Sequence, residues 1–211
     1  MKPRPLLLAS SSPYRRQLLT RLGIPFEAVS PDIDESPTDT ENAEQLATRL
    51  ATAKARALAP AYPDHWIIGS DQVACLQDGT LLNKPGNHER AVQQLARSSG
   101  KRVSFMTGLV LLDSGSGKLQ SHCECFHAHF RHLTLEEISH YLHAETPYDC
   151  AGSFKMEGLG IALFSQLEGR DPNSLVGLPL IALTDMLRNW GLNPLTQPQA
   201  HQRSSNRDSD T

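Results

Sequence analysis

The sequence predicts an α/β fold, and three observations carry that prediction. Short apolar runs, PLLLA near the start and WIIGS from Trp66, read as strands, the second unbroken in the manner of a strand buried on both faces. The segments that follow or separate them carry helix start and stop residues at the right spacing. Two long extended stretches, VSFMTGLVLLD and KLQSHCECFHAHFRHL, flank the turn-forming SGSG and are expected to pair antiparallel.

Taken in order, PLLLAS feeds a helix capped by Ser12, with Pro13 at its first position and Gly23 as its stop. FEAVSP is extended, and DIDESPTDTE is an acidic loop. A helix from about Asn42 to Ala59 carries Leu46, Leu50, Ala57 and Leu58 on one stripe and ends before Pro60 and Pro63. WIIGS then delivers Asp71 and Gln72 at its carboxyl end, and VACLQDGTLLNKPG forms a hairpin turned at Asp78-Gly79. A helix from about Asn87 to Arg97, the short amphipathic LEEISHYLHA and an irregular loop CAGSFKMEGLG follow. LVGLPLIALTDMLRNWG supplies a last helix ending near Gly191. From residue 196 the chain has too little apolar content to offset the entropy of ordering it, so one domain over 1–195 and a disordered tail over 196–211 are expected.

With 211 residues the chain can build one sizeable core, or two small lobes around a cleft. A formal charge of −3 and a pI near 6.3 argue against nucleic acid or an anionic membrane as partner, so any phosphate must be met by locally placed cations. The partner is expected to be a small molecule. No run approaches the ~18 apolar residues of a membrane span, and the start turns polar too soon for a signal peptide, which points to the cytoplasm. Four cysteines at uneven spacing read as reduced thiols rather than as a disulfide framework.

The strand-to-helix turn from Ser10 to Arg16 is the first candidate, because a helix N-terminus offers free N–H donors to an anion. Arg15 and Arg16 lie there although the helix dipole disfavours cations in a first turn. On pattern alone they read more readily as solvated surface arginines. Lys54 falls on the stripe with Leu46, Leu50 and Leu58, so it either borders a cleft or snorkels out to water. Lys84, held by Pro85 in NKPG, is a third potential phosphate contact. Asp71 is a carboxylate at a strand end, where ligands of α/β sheets gather, and equally a place for a capping Asp. Glu35 lies in the acidic loop and alone reads as solvated.

Cys123, Cys125, His127 and His129 alternate along one strand face and so look like zinc ligands. Alternate residues are ~6.6 Å apart and the four span ~20 Å, whereas zinc ligands sit ~2.0–2.3 Å from one ion. The run is therefore taken as a polar strand face.

LASSSPYRR, DIDES, GSDQV, NKPG and GSFKMEGLGI, in that order, resemble the Maf family of nucleotide pyrophosphatases over about residues 5 to 195. The resemblance implies a two-lobed α/β fold with an elongated, twisted mixed sheet and a nucleotide cleft between the lobes. It also implies a divalent cation (magnesium, manganese or cobalt) and often a homodimer. Position by position, it implies Asp71 as the catalytic base, Ser10, Arg15, Lys54 and Lys84 as phosphate contacts, and Glu35 as the acidic residue near the metal.

The family's usual arginine after Ser-Pro is replaced here by Tyr14. That departure resembles the branch acting on 7-methyl-GTP, which carries an aromatic residue there, matched with Gln72 and Glu157 as specificity positions. The branch usually has Trp rather than Tyr. An aromatic face attracts the cationic base of N7-methylguanine with ~0.5–2 kcal/mol. A Glu157 carboxylate can accept hydrogen bonds from the N1–H and amino group of guanine, which thymine and uracil cannot offer. The alternatives are a dTTP or UTP pyrophosphatase of the same family, and a nucleotide-binding regulator of cell division that does not hydrolyse.

Overall fold

The computed structural model describes residues 4–38 and 40–196. Its centre is a mixed sheet of seven strands, β1 (Leu6–Ala9), β2 (Phe26–Val29), β3 (Trp66–Leu76), β4 (Leu81–Leu82), β5 (Arg102–Asp113), β6 (Leu119–Phe130) and β7 (Phe164–Glu168). The order is β2-β1-β3-β5-β6-β7, with β4 paired to β3. β1 runs parallel to β2 and β3, and every later pairing is antiparallel. This bears out the expected two-lobed, mixed-sheet α/β fold.

Five helices cover the sheet: α1 (Pro13–Thr20), α2 (Ala43–Leu58), α3 (His88–Ser98), α4 (Leu135–Glu145) and α5 (Leu180–Asn189). Their starts follow the capping residues in the sequence. Ser12 accepts from Arg15 N in α1, and Asn42 and Gln45 form a capping box in α2.

α2 lies on one face of the sheet, closely enough that a Cβ on Gly69 or Gly108 would run into the carbonyls of Ala51 and Ala47. Only glycine permits that approach. On the opposite face the core divides. One cluster joins Trp66, Ile68, Leu109 and Leu111 to α1 and α5, and a second joins Ala74, Leu76, Val103 and Phe105 to α3 and α4. Between them, on the same face, stand the polar side chains Ser70, Gln72 and Thr107. The lobes meet there.

Three features depart from the sequence reading. WIIGS and VACL are one continuous strand of 11 residues, so Asp71 and Gln72 lie in its middle rather than at its end. β7, short and largely exposed, gives no alternating signal that would mark it as a strand in the sequence. The last helix begins only at Leu180, after a 3-10 turn over Pro172–Val176 and a positive φ at Gly177. The tail expected to be disordered lies, from 197 on, outside the described residues. Among the described residues no helix is long and apolar enough to cross a membrane.

Candidate active site

β1 pairs with β3 only as far as Gly69, and β4 takes up the same edge of β3 only from Ala74. Residues 70–73 therefore have no strand partner on that side. A cleft of about 660 Å³ opens at this gap. Ser10, Tyr14, Arg15, Glu35, Lys54, Asp71, Gln72, Lys84 and Glu157 all line it, so these nine candidates meet in one place. Arg16 is exposed on the outside of α1.

Asp71 and Gln72 point to opposite faces of β3, as successive strand residues must. Asp71 faces α2, where Lys54 Nζ lies 2.5 Å from its Oδ1 and 2.6 Å from Glu35 Oε1. Lys54 is only 7% exposed and Asp71 8%, while Glu35 is half-exposed. Lys54 reaches them because the stripe that buries Leu46, Leu50 and Leu58 continues through it. Burial pushes the Glu35 carboxyl up, but the hydrogen bond and charge of Lys54, with Lys84 and Arg15 beyond, outweigh this and hold it below the usual carboxylate range. Burial lowers the pKa of Arg15, against the pull of Asp71 and Glu35. Arg15, Lys54 and Lys84 thus surround one pair of carboxylates.

Ser10 Oγ accepts the Ser12 amide at 3.1 Å and shapes the turn that starts α1. On the other face, Gln72 Nε2 donates to Ser174 O at 2.6 Å. Tyr14 lines the cleft one residue before Arg15. Burial foremost pushes its phenol pKa up, and the carboxylates of Asp149, Glu157 and Glu145 add to it. The cleft is cationic where Arg15, Lys54 and Lys84 gather and acidic around its aromatic ring. Asp149 and Cys150, which no motif in the sequence marks as site residues, also line the cleft. Burial and Asp149 push the Cys150 thiol up to about 12, so it stays protonated.

Among the described residues no three His, Cys, Asp or Glu side chains gather as a cation cage. His127 Nδ1 is bonded to Ser104 Oγ at 2.9 Å, consistent with the polar-face reading of that strand. Glu35 and Asp71 converge on one amine and form a two-carboxylate set. Lys54 occupies the point where they meet, so a hard cation would be held by Glu35 and take its remaining ligands from phosphates and water.

A mixed sheet whose cleft gathers three cations and an aromatic ring among carboxylates suits an α/β protein that takes a nucleotide, and residues 5–190 match the family model described as Maf-like protein. The chain belongs to that family. It is 60% identical over 187 residues to the 7-methyl-GTP pyrophosphatase of Pseudomonas aeruginosa, covering 89% of this chain and 97% of that protein. The Staphylococcus aureus Ham1 protein shares the fold, with a TM-score of 0.54 at 13% identity over 89% of this chain and 100% of that one.

Proposed function

We propose that the protein hydrolyses 7-methyl-GTP between its α and β phosphates, giving 7-methyl-GMP and pyrophosphate. The observation that carries this is the charge pattern of one cleft, with Arg15, Lys54 and Lys84 grouped about the Asp71 and Glu35 carboxylates and Tyr14 set among Asp149, Glu157 and Glu145. The 60% identity to a 7-methyl-GTP pyrophosphatase supports the choice of substrate.

In this reading the triphosphate lies against Ser10, Arg15, Lys54 and Lys84, and the base lies between Tyr14, Gln72 and Glu157. Asp71 takes a proton from a water that attacks the α-phosphorus, in line with the departing pyrophosphate. Lys54 engages one oxygen of Asp71 and leaves the second to accept that proton. Glu35, through the carboxylate oxygen not bonded to Lys54, would hold a divalent cation such as magnesium, manganese or cobalt. When bound, such an ion offsets negative charge on the phosphates. Arg15 and Lys84 stabilise charge growing on the leaving group, and losing one such donor commonly costs ~10²–10³ in rate. A cytoplasmic setting, where nucleotides are made and used, fits this chemistry.

Steady-state assays with 7-methyl-GTP, GTP, UTP and dTTP side by side test the reading. The expected result is the highest kcat/KM on 7-methyl-GTP, with monophosphate and pyrophosphate as products. Turnover of UTP and dTTP alone would contradict it.

A further inference from the structure

The turn between β7 and α5 has no part in the chemistry above, yet two of the cleft's side chains are bonded to its main chain. Gly177 O accepts Arg15 Nε at 2.8 Å and the Ser70 hydroxyl at 2.8 Å. Ser174 O accepts Gln72 Nε2 at 2.6 Å and Thr107 Oγ1 at 3.0 Å. Ser70, Thr107 and Ser174 are fully buried.

Asp171 holds this turn together from a fully buried position. Its Oδ1 accepts the Asn173 amide at 2.9 Å and Asn173 Nδ2 at 2.7 Å, and its Oδ2 accepts Ile181 N at 2.7 Å in the first turn of α5. Pro179, which precedes that helix, has no side-chain cap to offer. A buried carboxylate is costly unless its lone pairs are met, and here backbone amides on both sides of Gly177 meet them. The carbonyl of Asp171 accepts the amide and hydroxyl of Ser174 at 3.0 and 2.6 Å. Gly177 itself has φ of 100°, which other residues adopt only with strain. A Cβ added to it would stand 3.0 Å from Arg15 Nε and 3.3 Å from Nη2.

We propose that Asp171 and Gly177 are positioning residues for Arg15: the turn they fix presents one rigid carbonyl that clamps Nε and aims the remaining guanidinium donors into the cleft. An arginine has donors to spare for such a clamp. With Nε held by protein, the Nη groups form a fixed fork for phosphate oxygens, and little rotamer freedom is left to lose on binding. The inference rests on the reading of Arg15 as a phosphate contact.

Double-mutant cycles test it. Gly177→Ala is expected to lower kcat/KM on 7-methyl-GTP by ~10–100-fold, the scale of a misplacement of about 1 Å. In an Arg15→Ala background the same change is expected to cost less than ~2-fold, since the group it misplaces is gone. Asp171→Asn, which cannot accept all three N–H groups, is expected to behave alike. Equal losses in both backgrounds are what a general structural lesion gives, and they would overturn the proposal. Should Gly177→Ala or Asp171→Asn fail to fold, Ser70→Ala run against Arg15→Lys reads the same coupling with gentler changes. The cycle is repeated with the dissociation constant for inorganic tripolyphosphate, measured by calorimetry. Absence of 7-methyl-GTP turnover in the unaltered protein would then count against the substrate, while additive losses in tripolyphosphate affinity would count against the clamp.

Discussion

Lys54 Nζ stands 2.5 Å from Asp71 Oδ1 and 2.6 Å from Glu35 Oε1, so one buried amine ties a helix, the central strand and the acidic loop together at the cleft. Removing it leaves Asp71 buried without its partner. Breaking a buried pair from one side costs about 3 kcal/mol or more. Lys54→Met is therefore expected to lower the unfolding free energy by about that amount in denaturant titration, and adding Asp71→Asn is expected to recover part of the loss. A Lys54→Met protein of unchanged stability would mean the pair is not formed.

Tyr14 is expected to set the preference for a methylated base. Replacing it by Ala removes an aromatic face with ~0.5–2 kcal/mol of attraction for a cation. The ratio of kcat/KM for 7-methyl-GTP over GTP should then fall by ~2–30-fold, because 1.4 kcal/mol is a factor of ten. Tyr14→Phe should keep the ratio, and Tyr14→Arg should lower it furthest.

Glu157→Gln is expected to weaken discrimination for guanine against pyrimidines. A charged acceptor facing N–H donors contributes about 1.5–3 kcal/mol. The fall should appear in kcat/KM for 7-methyl-GTP and GTP and leave the lower UTP rate nearly unchanged.

Glu35 gives a pH test. Its carboxyl titrates below its ordinary value of 4.5 because Lys54 holds the charged form, against the opposing effect of burial. A carboxylate with a depressed folded pKa adds stability above its unfolded pKa and loses it as pH falls through the folded one. The difference in Tm between the protein and its Glu35→Gln variant is thus expected to be constant at neutral pH and to close in the acid range below 4.5.

Gly69→Ala tests the packing that brings Lys54 to Asp71. The added Cβ meets the Ala51 carbonyl, so α2 must shift, at a cost of about 1–3 kcal/mol. Thermal unfolding and kcat should both fall, since Lys54 moves with the helix.

Much of this site is legible in the sequence because it is written in local periodicity. The spacing of Leu46, Leu50, Lys54 and Leu58 puts a lysine on a core stripe, and Ser12 with Pro13 marks the helix start that exposes Tyr14 and Arg15. A strand end is the sequence signal at Asp71, but the gap there comes from a neighbouring strand. β3 does not end there; its neighbour β1 does, and strand pairing is not visible in one segment's own pattern. The turn from Asp171 to Gly177 left no comparable signal. Its work is done by main-chain carbonyls that accept from residues 67 to 162 positions away. Asp-Pro-Asn and a later Gly announce a turn, but not what the turn holds.

The central claim is attack by water at the α-phosphorus with Asp71 as base, and hydrolysis of 7-methyl-GTP in water labelled with heavy oxygen tests it most directly. Mass spectrometry of the products is expected to find the label in 7-methyl-GMP and none in pyrophosphate, with turnover lost in Asp71→Asn. Label in the pyrophosphate, or orthophosphate as the first product, would contradict it.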